Sequence, residues 1–246
     1  MSWLVANWPL IVELTIEHLR LSLLPIVLGF VLAIPLGWLA HRYRLTRGLV
    51  LTVVGLLYTI PSLALFVILP PLLGLPFLSI ANVLIALTIY AVALMARSTA
   101  DALDSVDPDI RQAATAMGYS SWRRFWTVDF PLAGPVLLAG LRVVAVSTIS
   151  LLTVGVVVGA DSLGYLFTNG FQRGILASVL TGVVVVVVIA LVVDRLLAML
   201  GAGLMPWTRK SAGPRRRDPR ENEQQIEKGA TAFGRGVQQA SMGMNP

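Results

Sequence analysis

Residues 175–200 read ILASVLTGVVVVVVIALVVDRLLAML. In water the run Val183–Val188 would suggest a strand, because β-branched side chains favour extended backbone. The stretch is too long for that. About twenty apolar residues are what a helix needs to cross a hydrocarbon core of roughly 30 Å. Lipid also leaves the polar groups of an unpaired strand unsatisfied, so the segment reads as a membrane-spanning helix. Working outward, similar apolar runs predict spans over residues 19–40, 49–69, 77–96 and 132–159. The 132–159 run is longer than needed and predicts a tilted or broken helix.

The composition agrees with this reading. Of 246 residues, 56% are hydrophobic and 13% are charged, against about 25% charged in an ordinary soluble domain. The net charge of +6 raises the question of nucleic acid. The basic residues lie between apolar spans rather than on one polar module with stacking aromatics, which argues against it. Cysteine is absent, so no disulfide framework or Cys-based metal site is available. No basic residue precedes the first apolar stretch, so a signal peptide is not expected. Residues 1–18 mix Trp3 and Trp8 with Glu13 and Glu17, the pattern of an interfacial amphipathic helix. Membrane lipid is thus the first partner expected.

Arg42, Arg44 and Arg47 follow the first span, and Arg97, Arg111, Arg123 and Arg124 separate the third from the fourth. Further Lys and Arg run from Arg209 to Arg235, whereas the other side has Arg20 and Arg173. The positive-inside rule then puts the N-terminus outside and the C-terminus in the cytoplasm, as an odd span count requires. The domain reading is an interfacial segment at 1–18, a membrane domain at 19–207 and a basic tail at 208–246. The tail has no apolar period and is expected to be a disordered cytoplasmic segment, either simply solvated or touching anionic lipid.

The loop at 97–131 is too long for an idle turn, and it carries helix punctuation. Asp107 is a good N-cap, Pro108 suits the first helical position and Asp109 complements the positive helix end. The expected helix covers Pro108–Met117, with Gly118 as its left-handed stop. Ser120 or Ser121 caps a second short helix, Trp122–Val128, which Pro131 ends. Ala113, Ala114 and Ala116 allow another surface to approach closely, or serve helix propensity alone.

Within this loop, Gln112-Ala113-Ala114, Gly118 and Val128-Asp129-Phe130-Pro131 resemble the EAA loop of bacterial ABC importer permeases. That pattern is Glu-Ala-Ala, three residues, Gly, nine residues, then Ile-x-Leu-Pro. Gln112 replaces its carboxylate, which removes any salt bridge made there. The resemblance covers most of residues 18–200 and points towards permeases for glycine betaine, carnitine and choline. Thr59-Ile60-Pro61-Ser62-Leu63-Ala64-Leu65 matches their TIPSLAL, with Tyr58 where Gln is usual. Pro35-Leu36-Gly37 matches PLG and Gly140-Leu141-Arg142 resembles GIR. Gly159-Ala160-Asp161-Ser162-Leu163-Gly164 resembles GAGGLG, with Asp161 and Ser162 replacing two glycines.

The resemblance implies an all-α membrane protein with the type I ABC importer permease fold and about five transmembrane helices, in a bacterial inner membrane. It implies a coupling helix that docks on a cytoplasmic ATP-binding subunit, with Asp107, Pro108, Gln112, Ala113, Ala114, Gly118 and Pro131 as the coupling residues. A second permease subunit, identical or homologous, and an extracytoplasmic solute-binding protein complete the assembly. The chain has no GxxxxGK[ST] phosphate loop, so no cofactor is expected in it; ATP and Mg are expected on the partner ATPase.

For a translocation path the candidates are Thr59, Pro61, Ser62, Arg142, Thr148 and Ser150. Pro61 frees a backbone carbonyl and kinks its helix; Thr59 and Ser62 either repair it or line a path. Thr148, Ser150 and Thr153 either line a path or join helices. Arg142 must face a cavity or a partner, whereas Asp194 and Arg195 read as interfacial, as do His18 and His41. No catalytic constellation appears. An importer for amino acids such as methionine is the alternative substrate class. A stand-alone secondary transporter would carry internal repeats and intramembrane carboxylates, and spans one to three have no Asp or Glu. A membrane enzyme would need a cluster of His, Asp or Glu at one depth.

Overall fold

The computed structural model describes residues 2–207, and among these there are helices and turns but no strand. The expected basic tail at 208–246 lies outside the described residues. In chain order the helices are α1 (Ser2–Ala6), α2 (Trp8–Arg42), α3 (Arg44–Thr59), α4 (Ser62–Leu73), α5 (Ile80–Asp104), α6 (Pro108–Ala116), α7 (Ser121–Arg124), α8 (Phe130–Leu152), α9 (Gly164–Gln172) and α10 (Leu176–Leu204). A π-helical turn, Phe125–Asp129, joins α7 to α8, and a 3-10 turn, Thr153–Val158, follows α8.

Four stretches are long and apolar enough to cross a membrane: Trp8–Arg42, Ile80–Asp104, Ser121–Val158 and Leu176–Leu204. A fifth is a broken pair, Leu45–Thr59 and Ser62–Leu73, bent by 103°. The second span is therefore not the straight helix expected over 49–69. Proline restricts the residue before it to extended backbone, and Ile60 sits at φ −65°, ψ 127°. Pro61 also lacks the N–H that would bond back into α3. The Thr59 hydroxyl donates to the Leu56 carbonyl at 2.7 Å, so Thr59 repairs the helix end. The Ile60 carbonyl is taken by the Tyr90 hydroxyl from α5.

The core is the seam between α2 and α5. α2 buries Ser22, Ile26, Gly29, Ala33, Gly37 and Ala40, which recur every three or four residues on one face. In lipid, helices gain little from hiding apolar surface, so small residues that allow close backbone approach hold them together. At Gly29 an added Cβ would lie 2.3 Å from the Ala91 Cβ, a clash that fixes the residue as glycine.

The sequence places a boundary at residue 18, but α2 has no break there. Its buried face continues through Ile11, Leu14 and His18. Ile11 and Leu14 pack with Ile149, Leu163, Leu166 and Ile189. His18 is not an interface residue: it is fully buried, with Nε2 3.0 Å from the Ile149 carbonyl.

Candidate functional site

The loop between α5 and α8 is built much as its punctuation predicts. The Asp107 carboxylate accepts from the Asp109 N–H at 2.8 Å and caps α6, with Pro108 opening the helix. Gly118 has φ +84°, and the Tyr119 N–H donates to the Ala114 carbonyl at 3.2 Å, closing the helix end. The Ser120 hydroxyl accepts from the Arg123 N–H at 3.4 Å and caps α7.

The second helix departs from expectation. Pro131 does not end it; helix runs without a break from Ser121 to Val158. The π turn accounts for this. The Phe130 N–H reaches back five residues to the Phe125 carbonyl, and the widened turn takes in a proline that would interrupt a regular α-helix.

The back of α6 is held against the bundle. Ala114 is 2% exposed. Arg111 donates to the Leu103 carbonyl at the end of α5, and its Nε lies 3.6 Å from Asp129 Oδ1. Arg124 Nε is 3.3 Å from Asp129 Oδ2, and its Nη1 donates to the Thr115 hydroxyl at 2.9 Å. One buried carboxylate, Asp129, thus ties α6 and α7 to the foot of α8. Phe125 stacks edge-on against Trp38 of α2 at 6.2 Å and wedges the turn into the bundle. Among the described residues nothing covers the outward side of α6: Ile110, Gln112, Ala113 and Met117 are exposed, Met117 at 71%. Ile110, Ala113 and Met117 follow helical spacing and form one apolar stripe. Sequence reasoning missed Arg111, Arg124 and Asp129 as a unit, because their association depends on how the loop folds back.

At the same end, Asp104 accepts from His41 and Arg47, each at 2.5 Å, joining α2, α3 and α5.

The path candidates separate into two groups. Ser62 and Ser150 lie on one groove of about 500 Å³ beside the α3–α4 break, together with Tyr58, Ile60, Tyr90 and Ser147. Thr59 and Pro61 shape the break instead of lining the groove. Thr148 is buried in the α8 packing face. Arg142 donates from Nε and Nη2 to the two carboxylate oxygens of Asp194, both at 2.7 Å. Asp194 is therefore the partner of Arg142 and not simply an interfacial residue. Such a fork-to-fork pair neutralises the guanidinium where lipid would not. The Ser162 hydroxyl, at one of the two replaced glycines, accepts from the Gly164 N–H at 3.2 Å and lies buried at the start of α9.

A bundle of this topology, with a helix hung outside it between two spans, is that of a membrane transport subunit. Residues 26–205 match the family described as binding-protein-dependent transport system inner membrane component. The chain belongs to this family: it is a multi-pass inner-membrane permease subunit of an ABC importer. It is non-catalytic, and a separate chain hydrolyses ATP. The osmoprotectant import permease protein OsmW of Salmonella typhimurium is 32% identical over 206 residues, covering 83% of this chain and 96% of the relative. The carnitine transport permease protein OpuCB of Listeria monocytogenes is 34% identical over 192 residues, covering 78% and 87%. The solved inward-facing MetNI methionine ABC transporter has the same fold. Its TM-score is 0.72 at 21% identity, covering 81% of this chain and 98% of the matched one.

Proposed function

We propose that this chain forms the membrane path of an importer for a small quaternary-ammonium solute such as glycine betaine, carnitine or choline. The relatives described as osmoprotectant and carnitine permeases support that substrate class. The methionine transporter is similar in fold at a lower identity and does not favour an amino acid as the cargo.

In this reading the Arg-rich end faces the cytoplasm and the N-terminal end of α2 faces outside. α6 is the coupling helix. The observation that carries the coupling role is the two-sidedness of α6: its back is held by Asp129, and its front leaves Ile110, Ala113 and Met117 exposed among the described residues. Exposed apolar stripes on a polar loop mark protein contact surfaces. Asp107, Pro108 and Gly118 set the length and ends of the helix, Gln112 and Ala113 lie on the docking side, and Ala114 seats the back. Pro131 enters the span through the π turn.

A second permease, identical or homologous, closes the groove that a single chain leaves open. Ser62 and Ser150 line the path with Ser147, Thr59 and Pro61 shape it, and Thr148 and Arg142 support it from behind. An extracytoplasmic binding protein delivers the solute, and ATP binding by the partner ATPase moves α6 and switches the path between its two openings.

The test is Ile110→Asp combined with Met117→Asp, which places charge on the docking side only. ATPase co-purification and solute uptake should each fall at least roughly tenfold, with membrane insertion unchanged. Full ATPase recovery with the double variant would sink the coupling role.

A further inference from the structure

We propose that the groove beside the α3–α4 break holds the quaternary ammonium group of the solute in transit, with the Tyr58 ring as its cation-facing wall. This rests on the substrate class proposed above. The groove measures about 500 Å³, in the range of small-molecule sites. Tyr58 is 47% exposed, whereas Tyr90 is 3% exposed. The two rings meet edge to face, with centroids 6.1 Å apart and planes at 83°. Tyr90 is anchored through its hydroxyl to the Ile60 carbonyl. It is therefore a positioning residue that holds the Tyr58 ring beside the opening.

The groove lining also carries three unspent hydroxyls. Ser62, Ser147 and Ser150 border the groove, and their hydroxyls have no hydrogen-bond partner among the described residues. Elsewhere in the membrane helices hydroxyls commonly donate to a carbonyl one turn back, as Thr88 does to Leu84 at 2.7 Å and Thr99 to Met95 at 2.8 Å. Lipid would leave three such hydroxyls unsatisfied, so the face is built for water and solute.

Among the described residues no charged side chain lines the groove. A primary ammonium would need several acceptors there. A trimethylammonium group has no N–H to satisfy and is attracted by an aromatic ring and by hydroxyl oxygens. The absence of a carboxylate keeps the hold weak, as a path requires if the solute is to leave.

The experiment uses the complete transporter in proteoliposomes, supplied with its binding protein loaded with glycine betaine. Tyr58→Leu should lower uptake about tenfold and Tyr58→Phe by no more than about twofold, because the phenyl ring keeps the cation–π contact. The chain lacks native cysteine, so Ser147→Cys gives a clean second readout with Tyr58 intact. Tetramethylammonium chloride should slow thiol modification of that cysteine about threefold or more, and matched sodium chloride should not. The site is overturned by Tyr58→Leu uptake within about twofold of wild type, by equal losses in Tyr58→Leu and Tyr58→Phe, or by no tetramethylammonium protection. A wild-type transporter that imports an amino acid and no quaternary amine overturns the substrate class, and this site with it.

Discussion

Asp129 carries a charge out of proportion to its exposure. It is 5% exposed and faces two guanidinium groups that are themselves largely covered. Removing one member of a buried ionic group leaves the others uncompensated, at a cost of roughly 3 kcal/mol. Asp129→Asn should therefore lower the melting temperature of the purified transporter and open the α6–α7 loop to protease before the spans are cut. Gly118 is a different case. An added Cβ there meets no atom within 4 Å, so only its φ of +84° resists substitution. Gly118→Val should cost about 1–2 kcal/mol of local backbone energy and impair coupled uptake. Gly118→Asn should be milder, since Asn tolerates the left-handed region. The cap, the proline and the glycine of this loop were legible in the sequence because each acts within a few residues. Asp129 was visible only as a letter in the Val128-Asp129-Phe130-Pro131 motif, since its partners Arg111 and Arg124 reach it through the fold of the loop.

Among the elements, the existence of the spans was legible from length and hydropathy, but their ends were not: α2 starts at Trp8 and α5 runs on to Asp104, each well beyond the apolar run that marks it. Their interruptions were read less well. Pro61 breaks its helix by far more than a kink, and Pro131 does not stop its helix at all. The difference lies in what surrounds each proline. Tyr90 occupies the carbonyl at the first break, whereas a π turn absorbs the second. The contact between α8 and α10 includes a pair that sequence order hides, Arg142 and Asp194. Arg142→Ala alone leaves the Asp194 carboxylate without its guanidinium partner. The Arg142→Ala/Asp194→Ala double variant should melt at a higher temperature in detergent than Arg142→Ala. If the double variant is the weaker one, the pair does not act as a neutralised unit.

At the scale of the whole molecule, the described residues hold five spans only when the bent α3–α4 pair is taken as one. An odd number would put the two ends of the described stretch on opposite sides of the membrane. The proposed orientation predicts that Gln112→Cys reacts with a membrane-impermeant thiol reagent in inside-out vesicles and not in intact cells. The reverse pattern would invert the topology and remove the coupling role from α6. The positive-inside count carries the proposed orientation; the groove beside Tyr58 was not legible in the sequence, because its walls come from three stretches of chain far apart in order.

The π turn at Phe125–Asp129 sets the angular phase of the long helix that follows it. Each residue of an α-helix advances about 100° around the axis, and a π turn amounts to one residue more than the α-helix would use. Trimming that residue would restore regular winding and swing Ser147 and Ser150 about a quarter-turn or more away from the direction they face relative to the loop. The small irregularity next to the loop is thus a dial that aims the hydroxyls some twenty residues farther up the same screw.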